Sequence, residues 1–355
     1  MNFTNLFKLA KEKGIEDIQV YYSGSTEFDI EVLKGTVEKY AIADSARLSV
    51  KGIYKGKMGT VHTEVINEDV FEFIVDSIVA SADAIDSEDE VFIYEGDKEY
   101  RKIEGLFKQE LGEVPASRKI EDTKKLEKLV MDQDERISMV QAFYGEGTTE
   151  VSIQNSKGLN LTKKVNNSVL GVFVLASDGK DQRTTYEYKL SNDYNDFNLE
   201  EMAINGAKQA CDQLGATPVD SGEYEILLKN AASASLLHPH VSMFSGEAVQ
   251  KDLSLLKDKV GEVVGSELIT LVDDPFRTKS ARSGAFDDEG VATKYKELIK
   301  EGKLTGFLHN LKTAKKGNTE STGSGFLTGI STTNFYFVEG NTEYEEAVKS
   351  MKKGL

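Results

Sequence analysis

The predicted order of helices and strands repeats once within the first 215 residues. The first copy consists of a helix at residues 3–13, strands at 18–22, 27–33, 38–50 and 57–63, and a second helix at 67–84. An acidic, irregular linker is predicted at residues 85–113, and the second copy has the same elements at residues 117–132, 137–190 and 198–215. Apolar residues at helical spacing and partial alternation along the strands support both assignments. The pattern therefore predicts an internal duplication of an α+β unit, which restricts the fold more than any other feature of the chain.

Glycine-bearing turns are predicted between the strands of the second copy. Gly145-Glu146-Gly147 and Ser156-Lys157-Gly158 each lie between segments that alternate in polarity. Glycine and small polar residues are typical of turns between antiparallel strands. The sequence thus predicts an antiparallel meander with strands at residues 137–144, 148–155, 159–165, 168–177 and 182–190.

The pattern changes after Pro218. The predicted elements are a strand at 224–229, a helix from 230 to about 259 with an interruption near Pro239, a strand at 267–272, a hairpin around Glu301-Gly302 and a final helix at 344–352. We therefore predict two domains, an N-terminal α+β domain at 1–217 and a mainly antiparallel β domain with helices at 218–355. The predicted fold class is α+β.

Composition excludes several classes of protein. The chain has 60 acidic and 43 basic residues, a net charge of −17, and this disfavours direct binding of nucleic acid, which requires a basic face. It has no apolar run of the roughly 18 residues that span a membrane, and its charged N-terminal segment does not resemble a signal peptide. Cys211 is the single cysteine, which excludes an intramolecular disulfide. A reducing, cytoplasmic location is expected.

Two of the four histidines, His238 and His240, lie in one predicted helix. A helical zinc site of the HExxH type places two histidines four residues apart, with a glutamate beside the first as general base. A spacing of two turns the imidazoles roughly 200° apart on a helix, and Pro239 between them is neither a base nor a ligand. We therefore interpret His238 and His240 as surface or packing residues. A metal site shared with distant carboxylates is the alternative.

Other chemically reactive residues also have a structural interpretation. His62 and His309 are interpreted as packed or surface imidazoles in strands, and Cys211 as a buried residue of an apolar helix. Asp287-Asp288-Glu289-Gly290 resembles part of a calcium loop but lacks its alternating acidic ladder. It predicts a polar turn in which Gly290 takes a positive φ. Asp273-Asp274 before Pro275 predicts a turn at the end of a strand.

Several segments of the second predicted domain together resemble the TldD/PmbA family, long labelled modulators of DNA gyrase. They are residues 244–249, 254–256, 273–275, 286–293, 298–304, 313–315 and 321–323, and their order and spacing carry the resemblance. The first domain agrees more loosely, through the strand around Arg47 and the turn region Gly52–Thr60. The chain is more similar to the PmbA (TldE) branch than to TldD.

The resemblance implies an α+β fold and a heterodimeric cytoplasmic metalloprotease that cleaves unfolded or modified peptides. In that family the TldD-like subunit supplies an HExxxH helix and binds the zinc. The corresponding helix falls at about Leu237–Met243 in this chain. His238 matches the first ligand, Pro239 stands in place of the glutamate, and Met243 stands in place of the second histidine. The resemblance therefore implies a noncatalytic subunit without catalytic, cofactor or metal residues, in which His238 is a remnant ligand.

The expected partners are a TldD-like metalloprotease subunit, which would carry the zinc, and an extended peptide substrate; self-association stays open. Nucleic acid and membrane are not expected as partners. Two alternatives remain, an independent hydrolase with an unrecognised site and a protein-binding modulator of DNA gyrase. Family members continue past Gly354-Leu355, so the resemblance also implies that the C-terminal end of the second domain is missing here.

Overall fold

The computed structural model of the chain describes residues 2–86 and 90–355. These residues divide by their internal contacts into two units. The N-terminal unit comprises residues up to Glu95, Glu104–Thr217 and Thr278–Ala281. The C-terminal unit comprises Gly96–Ile103, Pro218–Arg277 and Arg282–Leu355. Because contacts within one structure do not test independent folding, the assignment of domains at 1–217 and 218–355 stays a prediction.

The N-terminal unit contains the repeated pattern that the sequence predicts. Its first copy has helix α1 (Thr4–Glu12), strands β1 (Ile15–Leu33), β2 (Thr36–Tyr54) and β3 (Lys57–Thr63), a 3-10 turn (Glu68–Val70) and helix α2 (Phe71–Asp83). Its second copy has helices α3 (Gln109–Glu113) and α4 (Ala116–Met131), strands β4 (Ile137–Asn155), β5 (Asn160–Ser177) and β6 (Gln182–Ser191), a 3-10 turn (Tyr194–Asp196) and helix α5 (Leu199–Cys211). The linker predicted at 85–113 is irregular as far as α3; its residues 87–89 lie outside the described part.

The strands of both copies form one antiparallel sheet in the order β3-β2-β1-β4-β5-β6. The first strand of each copy lies at the centre, where β1 and β4 pair in an uninterrupted register from Gln19 with Asn155 to Leu33 with Gln141. The two sets of three strands extend outward from this pair in mirrored order. This arrangement is the one expected when two copies of a helix–three-strand–helix unit join by their first strands.

A separate hydrophobic core lies at each end of the sheet. Helices α1 and α2 pack on one end, where Ile18, Val20 and Leu48 belong to the core. Helices α4 and α5 pack on the other end, where Ile30 and Val172 belong to the core. Ile18, Val20 and Ile30 are separated by even numbers of residues along β1, so both helix pairs cover the same face of the pleat.

The long strands correct one part of the sequence prediction. The breaks expected at residues 23–26 and at Gly145-Glu146-Gly147 are wrong, because β1 and β4 run through them without interruption. Gly145 and Gly147 pair with Asp29 and Glu27 of β1. A Cβ at Gly145 would lie 3.2 Å from the Asp29 carboxylate and from a Val169 methyl group. The glycine therefore permits close strand packing and does not reverse the chain.

The C-terminal unit consists of short elements. It contains helices α6 (Asn230–Leu237), α7 (Gly246–Gln250), α8 (Leu311–Lys316) and α9 (Tyr344–Ser350), and a 3-10 helix (His238–Phe244) between α6 and α7. Its strands are β7 (Leu271–Asp273), β8 (Lys296–Lys300), β9 (Lys303–Leu304), β10 (Gly325–Phe326), β11 (Gly329–Ile330) and β12 (Phe335–Phe337). They form a four-stranded sheet in the order β12-β7-β8-β9 and a β10-β11 hairpin. The predicted α+β class is thus confirmed for the chain.

Several predicted elements of this unit are shorter in the structure. The hairpin at Glu301-Gly302 is confirmed, and both residues take positive φ angles. The strand predicted at 224–229 is wrong, because its described residues form only a single bridge, between Glu225 and Gly354. The helix predicted to reach residue 259 ends at Gln250, and Asp252 has a φ of 59°. Among the described residues, no helix is both long and apolar enough to cross a membrane.

Candidate functional site

The histidine pair lies where one helix changes type. Helix α6 starts after the extended residue Lys229 and ends at Leu237, and a 3-10 helix continues from His238 to Phe244. Pro239 stands in the first turn of that 3-10 helix. Proline has no N–H and is tolerated only at the start of a helix. The interruption predicted at Pro239 is therefore present.

His238, Pro239 and His240 are all exposed to solvent. The Nδ1 atom of His240 lies 2.8 Å from the carbonyl oxygen of Leu236, one turn earlier. Across residues 2–86 and 90–355, no group of three or more His, Cys, Asp and Glu side chains is arranged to hold a metal ion. His238 and His240 are thus exposed imidazoles just after the end of helix α6.

The other end of the segment is anchored in the core of the C-terminal unit. Phe244 is buried and its ring meets that of Phe335 edge to face at 5.8 Å between centroids. Met243 packs against the same core, and its carbonyl accepts a 2.6 Å hydrogen bond from Ser254 Oγ. The position that the resemblance assigns to the second histidine ligand is thus occupied by an apolar packing residue.

Helix α7 begins in close contact with the chain around His309. The amide of Gly246 donates to the carbonyl of Leu308, and the amide of Leu308 donates to that of Phe244, each at 2.8 Å. A Cβ at Gly246 would lie 2.4 Å from His309 Nδ1 and 3.0 Å from the Leu308 oxygen. Any larger residue would clash with these atoms, so the close packing requires glycine at position 246.

His309 lies before helix α8 and outside any strand, so the strand predicted around it is wrong. Its ring is half-buried, with Nδ1 3.3 Å from Thr313 Oγ1. Burial lowers its pKa below the ordinary value, so the imidazole stays neutral near pH 7. Asn310 caps α8 by accepting from the Thr313 amide. These contacts assign His309 a packing role.

The acidic loop at Asp287–Gly290 is an ordered polar turn. The fully buried Asp287 carboxylate accepts from three backbone amides, those of Glu289, Val291 and Gly325, at 2.8 to 3.0 Å. Burial raises the pKa of Asp287 to about 7. Gly290 has a φ of +90°, as predicted. Because the carboxylate oxygens bind backbone N–H groups, they are not arranged as ligands of calcium.

Asp273 is a buried charge that the sequence analysis interpreted only as part of a turn. Its Oδ1 accepts from the amide and hydroxyl of Thr333 at 2.7 and 2.6 Å. Its Oδ2 lies 2.9 Å from Lys296 Nζ, an ion pair in which Asp273 is fully buried. The same ammonium donates to the Thr322 carbonyl and to Ser324 Oγ. No local sequence signal links Asp273 to Lys296, since the contact depends on the pairing of β7 with β8.

The remaining candidates lie in the N-terminal unit. Cys211 is buried in α5, and burial raises the pKa of its thiol, as expected of an unreactive cysteine. His62 is exposed on β3, with Nδ1 2.9 Å from Ser49 Oγ. A cavity of about 390 Å³ crosses the middle of the sheet beside Gly24, Asp44 and Glu150. It contains none of the histidines.

Two family models match the chain. A PmbA/TldA metallopeptidase central domain matches residues 109–214, and a PmbA/TldA metallopeptidase C-terminal domain matches residues 221–355. Among curated relatives, Metalloprotease MJ0996 of Methanocaldococcus jannaschii is 24% identical, and the match covers 100% of this chain and 80% of the relative. Metalloprotease PmbA of Escherichia coli O157:H7 is 24% identical over 68% of this chain and 54% of its own length.

Solved structures share the fold over nearly the whole chain. A protein of Thermotoga maritima described as a modulator of a DNA gyrase is 32% identical, with a TM-score of 0.92, and the match covers 99% of this chain and 80% of that one. TldE of Thermococcus kodakarensis is 24% identical with a TM-score of 0.91 and the same coverage, which shows a common fold. Two family models over most of the chain and a solved structure that is 32% identical agree, and the chain therefore belongs to the PmbA/TldD metallopeptidase family.

Proposed function

We propose that this chain is the noncatalytic, PmbA/TldE-like subunit of a two-subunit metalloprotease that cleaves unfolded or modified peptides. One observation carries the proposal. The segment that corresponds to the metal-binding helix changes to a 3-10 helix at His238, leaves His238 exposed and packs the partly buried Met243 against the core. A chain built in this way needs a second subunit to supply the metal chemistry.

The family implies a zinc ion, whose requirements can be set against the side chains of this segment. Zinc hydrolysis requires about three protein ligands, an open position and a general base nearby. At this segment Pro239 supplies no base and Met243 is a weak, packed thioether. The buried carboxylates of the same unit, Asp273 and Asp287, already bind a lysine and backbone amides. These residues do not fit a zinc site, and the proposal places the zinc in a TldD-like partner.

The proposed role of this chain is to shape the substrate path and to hold an extended peptide. Backbone pairing with a sheet edge binds a peptide without reading its sequence, which suits unfolded substrates. The fold that this chain shares with TldE of Thermococcus kodakarensis supports its assignment to the TldE branch. A cytoplasmic location is part of the proposal and is supported by the single buried cysteine.

Co-expression with the TldD-like protein of the same genome tests the proposal. We expect the two chains to co-elute and to degrade a denatured protein together, with a chelator abolishing cleavage. Glu→Gln in the HExxxH motif of the partner should abolish activity, whereas His238→Ala in this chain should leave it unchanged. Chelator-sensitive cleavage by this chain alone would support an independent hydrolase. Retention of gyrase without a TldD-like protein would support the gyrase alternative suggested by the name of the Thermotoga relative.

A further inference from the structure

The two edges of the six-stranded sheet differ in how the chain covers them. At the β3 edge, the Thr60 amide donates to Ser81 of α2, and Lys57 Nζ donates to the Ile85 carbonyl. At the β6 edge, a comparable hydrogen bond to the following chain lies at the start of the strand, where the Arg183 guanidinium donates to the Ala216 carbonyl. Within the described ranges, no strand pairs with the outer side of β6. Residues 184–190 therefore form an open edge.

The open edge carries large apolar side chains on one face. Tyr186, Tyr188 and Leu190 are 64%, 56% and 59% exposed, and their alternation places them on the face opposite to α5. Natural edge strands are commonly protected by lysine, proline or a bulge. Here the pairing of β5 with β6 is regular over its whole length and contains no proline, and the lysine of this strand, Lys189, lies on the opposite face from the tyrosines. An edge of this composition is typical of a pairing surface.

Neighbouring strands hold these rings in place. Gly171 of β5 lies between Phe143 of β4 and Tyr188 of β6 in the register. A Cβ on Gly171 would lie 2.5 Å from the Phe143 ring and 2.7 Å from Tyr188 Cβ. The rings of Phe173 and Tyr186 contact each other at 5.0 Å between centroids. The aromatic groups are thus preorganised, which lowers the entropy cost of burying them in an interface.

The same face at the other end of the sheet is covered by the chain itself. Asn155 pairs with Gln19 on this face, and its side-chain amide donates to the Tyr94 carbonyl at 2.7 Å. Ile93 beside it is only 1% exposed. The duplicated half that contains β6 has no equivalent cover among the described residues. The bare face is therefore specific to the half with the open edge.

The sequence of β6 is complementary to itself. When two copies pair antiparallel about Tyr188, Tyr186 faces Leu190 and Glu187 faces Lys189, each twice. Cross-strand pairs of opposite charge and of apolar groups stabilise antiparallel sheets. A shift of the centre by one residue would place Glu187 against Glu187 or Lys189 against Lys189. Charge thus selects one register.

We infer that β6 is the pairing edge for a second copy of this chain, with the two β6 strands antiparallel across a two-fold axis at Tyr188. The two sheets then join into one continuous sheet of twelve strands. The interface is isologous, because the same five residues, 186–190, contribute on both sides. A second copy paired at β6 occupies this edge, so the peptide of the proposed function would pair with a different strand edge.

Charge exchange tests the register in the full-length chain. We expect a dimer in sedimentation equilibrium, and both Glu187→Lys and Lys189→Glu should raise its dissociation constant at least about tenfold. The double variant restores the two opposite-charge pairs and should recover the dimer. Tyr40→Lys, a change of a 52% exposed tyrosine on β2, is the matched control and should have no effect. Far-UV circular dichroism checks that each variant is folded.

Cysteine cross-linking tests the axis. Directly opposed residues in an antiparallel pair have Cα atoms about 4.5–5.5 Å apart, within disulfide range. Tyr188→Cys should therefore form a covalent dimer under mild oxidation, whereas Tyr186→Cys should not. A wild-type monomer at all concentrations would overturn the inference, as would a dimer unaffected by the single charge variants. If Tyr188→Lys removes only binding of a TldD-like subunit, the edge serves a different partner and the inference is wrong.

Discussion

Asp287 makes the stability of this protein depend on pH in a specific direction. Its carboxyl group is fully buried and its pKa is raised by burial to about 7, against 3.8 for an ordinary aspartate. The folded state therefore holds the proton more tightly than the unfolded chain does. The contribution of this group to stability is complete below about pH 4 and is lost as the pH rises through about 7.

The size of the effect follows from the shift. A shift of about three pKa units corresponds to about 4 kcal/mol in the free energy of unfolding, at about 1.4 kcal/mol per unit. Three backbone amides donate to this carboxylate and favour its charged form, and the pKa of about 7 already includes their opposing effect. Most of the change should fall between about pH 4 and 7.

Urea denaturation of the wild type and of Asp287→Asn, followed by circular dichroism from pH 4.5 to 8, measures the effect. The variant cannot titrate at this position, and subtraction of the two pH profiles removes the contribution of the other acidic groups. We expect the wild type to lose its advantage over the variant as the pH rises. If the difference in unfolding free energy between wild type and variant stays constant or grows as the pH rises, the assignment of a raised pKa to Asp287 is refuted.

Three further predictions concern groups in the interior. Lys119→Met should cost about 3–5 kcal/mol in urea denaturation, because the largely buried Glu146 carboxylate loses the ammonium at 2.6 Å and keeps the hydrogen bond from the Tyr144 hydroxyl as its remaining side-chain contact among those described. Lys119→Met with Glu146→Leu should recover most of this loss, and a double variant whose cost equals the sum of the two single costs would show that the two groups do not interact. Gly246→Ala should cost about 1–3 kcal/mol through its clash with His309, whereas Gly306→Ala, which meets no atom within 4 Å, should be nearly neutral. Cys211 should react with a thiol reagent only on unfolding, and rapid reaction of the native protein would show that the thiol is accessible.

Helix ends and the duplicated order were predictable from the sequence because their causes are local. Helix α5 starts at the cap Asn198, whose side chain accepts from the Glu201 amide. The hairpin at Glu301-Gly302 requires positive φ angles that its glycine favours. The breaks expected within β1 and β4 were wrong, because glycines that usually mark turns lie here in a central strand pair 19 residues long. Their role depends on the neighbouring strand, which local sequence does not show.

For the candidate site, the sequence predicted the helix interruption at Pro239 and little of the side-chain packing. Pro239 and the spacing of His238 and His240 already argue against a helical zinc site, and the structure places both imidazoles at the surface. The buried pair of Asp273 and Lys296 was not predicted, because it joins residues of two strands that meet only in the folded chain. The packing of Met243 into the core likewise depends on tertiary contacts.

The zinc content of the purified full-length chain, alone and in complex with a TldD-like subunit, tests the central claim most directly. The account predicts no stoichiometric zinc in the isolated chain and one tightly bound zinc in the complex, lost when the HExxxH histidines of the partner are replaced. One tightly bound zinc in the isolated chain, released by His238→Ala together with chelator-sensitive peptidase activity, would contradict the account.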